Sequence, residues 1–125
     1  MPNYASFATA GSITPDKLLA GNSDLLVSRK VTIITGQNIL RGAVLGKITA
    51  SGKYNLSLSG AADGSQTPDL VLAEDCNASA ADTPAMAYAR GDFATAGLTL
   101  GAAHTVASIT EGLRAKGITL VSSAL

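Results

Sequence analysis

Apolar residues in this chain fall mostly into short runs broken by glycine, and one longer stretch near the C-terminus repeats them at helical spacing. Arg29 to Thr35, RKVTIIT, is rich in β-branched residues and stops at Gly36, which predicts a strand. The following stretch, NILRGAVLGKITASGKYNLSL, is interrupted at Gly42, Gly46 and Ser51-Gly52, and reads as strand, bend, strand, tight turn, strand. Within it Val44, Lys47, Thr49 and Tyr54 suit a β-ribbon. Gly60 to Pro68, GAADGSQTP, concentrates turn formers and predicts a surface loop, after which Asp69 to Ala73 is a short apolar run expected to be a buried strand. EDCNASAADTP reads as a second loop. It leads to a strand in which Met86, Tyr88 and Arg90 alternate with alanines until Gly91 bends the chain, making Arg90-Gly91-Asp92 a strand end.

One helix is predicted with a defined start and stop. Thr105 can cap it, Val106, Ile109 and Leu113 recur at i, i+3 and i+7, Arg114 and Lys116 lie in the last turn, and Gly117 ends it. Its apolar stripe should pack on the sheet, with Ile118 to Val121 as a closing strand. At the other end, Thr14 to Gly21 carries a weaker signature, Thr14 as cap, Pro15 at the first helical position and Gly21 as stop, and predicts a short helical turn. Met1 to Ile13 shows neither period and is expected to be a flexible arm, leaving residues 14–125 as one domain. The order of elements is mainly β with one C-terminal helix. Strands broken by glycine at regular spacing point to a bent ribbon or incomplete barrel.

Charge and composition narrow what such a domain can do. Nine basic and nine acidic residues cancel, so no net field draws the chain to nucleic acid or anionic lipid. With no tryptophan and only Phe7, Phe93, Tyr4, Tyr54 and Tyr88 as aromatics, the core must rest on Val, Ile, Leu and alanine, and an isolated copy is expected to be only marginally stable. A lone cysteine implies folding without a disulfide. The start of the chain lacks the basic and apolar regions of a secretion signal, so synthesis in a cytoplasm is expected.

Candidate chemistry is thin. His104 precedes the helix cap and has no second histidine to complete a metal site, so a turn residue with a local hydrogen bond is expected. Cys76 is read as a loop residue whose neighbours Glu74 and Asp75 disfavour a thiolate. Glu74, Asp75, Asn77 and Asp82 do not follow the alternate-residue spacing of a calcium loop, and Gly46-Lys47 lacks the glycine-rich stretch of a phosphate loop. No enzyme, metal or cofactor is expected. The irregular arm offers a different function, because an extended segment can add a strand to a partner's sheet edge while Tyr4, Phe7 or Ile13 fill pockets. Leu18 and Leu19 complete this candidate contact set.

The stretches RKVTIITGQNILRGAVLGKITASGKY, ADGSQTPDLVLAEDCNASAADTPAMAYARGDF and LTLGAAHTVASITEGLRAKGITLV resemble, in order and spacing, the bacteriophage head decoration protein D family. The similarity runs from about Thr14 to Val121. Its most specific pieces are Arg41-Gly42 with Leu45-Gly46-Lys47, the Ala62-to-Gln66 loop leading to Leu72-Ala73-Glu74-Asp75, Arg90-Gly91, and Leu113 to Ile118. Departures fall at Asp69-Leu70-Val71-Leu72 and at Cys76-Asn77. The resemblance implies a β-clip-like domain and a homotrimer on threefold positions of an expanded head, which contacts the major capsid protein through its base and an N-terminal segment. It also implies location on the outer surface of the virion, with no direct nucleic-acid or membrane partner. The competing readings are another phage structural protein of the tail or head-completion kind, and a small β-barrel that binds a ligand.

Overall fold

The computed structural model describes residues 18–21 and 25–122. Nine strands and one α-helix follow in the order β1 (Leu19–Gly21), β2 (Val27–Ile33), β3 (Gln37–Ile39), β4 (Val44–Lys47), β5 (Tyr54–Leu56), β6 (Pro68–Leu72), β7 (Cys76–Ala78), β8 (Thr83–Ala94), α1 (Val106–Arg114) and β9 (Ile118–Val121). A 3-10 turn at Thr95–Gly97 follows β8. The fold is mainly β with one late helix, as the element order implied.

Five strands close a small mixed barrel. β8 pairs antiparallel with β2 and with β6, β6 with β4, β4 with β5, and β5 meets β2 in parallel only at Ile33 and Tyr54. That single residue pair is the weak seam of an otherwise continuous ladder. Inside lie Val31, Ile33, Leu45, Tyr54, Leu70, Leu72, Ala85 and Ala87, joined by Ile39, Cys76 and Ala78 from the two-stranded ribbon β3–β7. Small side chains from β8 let the barrel stay narrow. Since side chains alternate across a strand, Val44 and Val71 point outward, where they meet Phe93, Ile109, Leu113 and Ile118 in a second core beneath α1.

Three sequence expectations need correction. Glu74 to Pro84 is not all loop, because Cys76–Ala78 forms β7 against Gln37–Ile39 and its burial alternates inward, outward, inward. Three residues are too few for a period to stand out. Gly91 does not end β8, which continues to Ala94, because β9 and β1 supply new ladder partners beyond it. Gly91 keeps φ at +152°, and a Cβ there would lie 2.4 Å from Leu26 Cδ2, so the residue bends the strand without ending it. Leu19–Gly21 is a strand, not the end of a helical turn, because β8 offers an edge at Asp92 and Phe93. Residues 14–17 lie outside the described residues, as does the arm.

The helix follows its predicted cap, and two of its three stripe residues pack inward, while Val106 stays exposed. Thr105 accepts from the Ser108 backbone N–H while the Ser108 hydroxyl accepts from the Thr105 N–H, a reciprocal cap that satisfies two otherwise orphaned donors. Ile109 and Leu113 are buried, and Gly117 turns the chain at φ +97° into β9.

Candidate functional site

A Ser–His contact is the nearest approach to a reaction centre. Ser57 Oγ lies 3.0 Å from His104 Nε2, and the serine is fully buried. The same hydroxyl donates to the Ser65 carbonyl at 2.7 Å, so its proton is already engaged and the imidazole must be the donor in the second contact. A histidine that donates to a serine cannot be its general base, and the pair is a buried tie between the Ser65 loop and the turn before α1. His104 was expected to bond locally. Its partner is instead 47 residues away.

Other candidate groups are also accounted for. Cys76 is buried on β7, and burial first, then the nearby Glu74 charge, pushes its thiol above the ordinary value, so it stays protonated. Glu74 accepts from the Met86 N–H, Asp75 from the Arg41 N–H, and Asp82 from Thr35 N–H and Lys53. Among the described residues no three His, Cys, Asp or Glu side chains converge as metal ligands. Nor is any described helix long and apolar enough to cross a membrane.

A second polar cluster joins the helix end to the barrel. Asp69 accepts from Tyr54 Oη at 2.8 Å and from Lys116 Nζ at 2.9 Å. Burial alone would raise the Asp69 carboxyl, but these two donors outweigh it and hold the carboxyl below its usual range. Burial, then the bond to Asp69, pushes the Tyr54 hydroxyl up to about 12. The cluster escaped the sequence reading because 15 and 47 residues separate its members from Asp69.

What remains is surface. The register places β1 and β9 on either side of the last part of β8: Leu19 pairs with Phe93, and Val121 runs parallel beside Ala94. Because β1 is antiparallel to β8 and β9 is parallel to it, the chain enters at Leu18 and leaves after Val121 at the same end of this three-stranded sheet. Leu18 is only 2% exposed, and its carbonyl accepts from the Ala94 N–H at 2.7 Å, which fixes the point of entry. Leu19 is partly buried against the same core. Tyr4, Phe7 and Ile13 lie outside the described residues.

At the other end of this three-stranded sheet, where β9 begins, Leu25, Arg90, Gly91, Asp92, Gly117 and Thr119 line a shallow groove of about 220 Å³. Leu25 is 58% exposed on it, and Val27, which pairs with Arg90, is also exposed. This groove was not anticipated, since which residues line it depends on the register of β8 with β9.

The described residues thus form a small barrel whose polar clusters tie its elements together, with Leu18 and Val121 at one end of the β1–β8–β9 sheet. The family described as Bacteriophage lambda head decoration protein D matches residues 8–118, and the chain belongs to that family. No curated protein matches the sequence. The protein is therefore a structural capsid-decoration protein of the phage head surface, and it binds the capsid.

Proposed function

We propose that the protein seats as a homotrimer on local threefold positions of the expanded head, binds the major capsid protein through the end where both chain ends emerge, and braces the shell against internal pressure. The convergence of Leu18 and Val121 beside Ala94 carries this reading, since it puts both ends of the described chain at a single surface. In this reading Met1 to Ile13 is an extended arm that adds a strand to a capsid sheet edge, with Tyr4, Phe7 and Ile13 in pockets, partly exposed Leu19 completing the contact at its root, and Leu18, which is buried, anchoring that root in the second core instead of touching the capsid. The two-stranded ribbon β3–β7 folded over the barrel suits a β-clip-like domain.

Ordering such an arm costs about 1–2 kcal/mol per residue in backbone entropy, so one arm binds weakly. Three arms on one trimer make the second and third contacts intramolecular, which multiplies avidity by about 10² to 10⁴ when the lattice spacing permits simultaneous engagement. The test compares full-length protein with a variant lacking Met1 to Ile13 on expanded and unexpanded heads, counting bound copies per particle. The expected result is a folded, self-associated variant with sharply reduced occupancy. Full occupancy by the truncated protein would overturn the arm's role, and equal binding to unexpanded heads would overturn the preference for the expanded lattice.

A further inference from the structure

The first half of β2 is exposed in an unusual way for a barrel strand. Val27, Ser28, Arg29 and Lys30 are all exposed, although side chains in a strand alternate between two faces. One edge of β2 is paired to β8 throughout, from Val27 beside Arg90 to Ile33 beside Thr83. Among the described residues the other edge has a strand partner only at Ile33. Val27 to Lys30 is thus an open sheet edge, the kind of surface that pairs with another chain unless it is covered.

Its charges are unbalanced within one copy. Lys30 and, across the ladder, Arg90 have no ion-pair partner among the described residues, and Arg29 feels Asp69 only at a distance. On the opposite flank of β8, Glu74 and Asp75 are exposed, and they accept hydrogen bonds from the backbone N–H groups of Met86 and Arg41. Just beyond them β7 has a ladder partner on one side only, at β3. One chain therefore presents a basic open edge and an acidic one, two different patches of opposite sign. That is what a head-to-tail contact between identical copies requires, because a rotational ring brings patch A of each copy to patch B of the next.

We propose that the open edge of β2 docks on a second copy of this chain, with Lys30 facing the Glu74–Asp75 stretch of its neighbour and backbone pairing extending from β2 toward that neighbour's β7. The proposal rests on the self-association in the functional reading above and names the surface that produces it. Like charges brought together at such a contact are repulsive and opposite ones restore it, so exchanging both signs in one chain preserves every contact of the ring.

The experiment measures self-association by analytical ultracentrifugation for the full chain, Lys30→Glu, Glu74→Lys, and the double variant, with circular dichroism and thermal melting as controls for folding. Each single variant is expected to raise the concentration for half-association at least tenfold, and the double variant to recover to within about threefold of the parent. Unchanged association in both single variants overturns the proposal, as does a double variant no better than either. If Lys30→Glu lowers occupancy on expanded heads while self-association is intact, the edge serves the shell and the proposal fails. Occupancy of the unaltered chain on heads judges decoration separately.

Discussion

Asp69 receives hydrogen bonds from Tyr54 on β5 and from Lys116 just past α1, so one carboxylate holds the helix end to the barrel. The pH dependence has two limbs. With its pKa held below the unfolded carboxyl value of about 3.9, Asp69 contributes stability that is present above that pH and lost as pH falls through the depressed pKa. Tyr54 runs the other way: its contribution is complete below the unfolded phenol value of about 10 and disappears as pH rises through about 12. Tyr54→Phe should cost about 1 kcal/mol near neutrality and remove the part of the alkaline decline that lies between these values. Asp69→Asn should flatten the acid limb. Urea titrations at a series of pH values check both, and an unchanged alkaline limb in Tyr54→Phe would show that the hydroxyl is not coupled to folding.

The elements differ in how far they could be read from local chemistry, and the reason is physical. α1 and β9 were legible because cap, apolar stripe, stop and strand all lie within about one helix length of each other; β9 has the expected bounds Ile118–Val121, while α1 ends at Arg114 and leaves Lys116, expected in its last turn, just beyond it. β7 and the far half of β8 were not, because β7 exists through Gln37–Ile39 and the end of β8 through β1 and β9, which are distant in sequence. Of the candidate arm residues, Tyr4, Phe7 and Ile13 lie outside the described residues, while the groove at Gly91 and the open β2 edge depend on register and could not be seen beforehand. Two substitutions test the elements themselves. Thr105→Ala removes half of the reciprocal cap and should lower stability by about 1 kcal/mol in denaturant unfolding. Gly46→Ala probes space, since its Cβ would stand 1.9 Å from the Ser65 carbonyl oxygen, and a shift of the loop costing about 1–3 kcal/mol is expected. A neutral result at Gly46 would mean that the Ser65 loop yields freely.

The barrel and the second core are both built from modest side chains, with Phe93 the largest among those fully buried. Apolar burial is worth roughly 25 cal/mol per Å², and alanines at positions 43, 78, 85 and 87 remove little area from water. Meanwhile Leu25, Val27, Leu40, Leu58, Met86 and Val121 remain exposed on one copy. Burying part of that surface between copies would add to folding stability by mass action, because association draws only on the folded chain. The thermal midpoint should therefore rise with protein concentration over the range in which copies associate, by an amount readable in scanning calorimetry at micromolar and at tenfold higher concentrations. Lys30→Glu, which opposes the contact without touching either core, should lower the midpoint at high concentration and leave it close to the parent's at the lowest. A midpoint independent of concentration in the parent, with association occurring, would mean that the copies meet through surface that contributes nothing to holding each one folded.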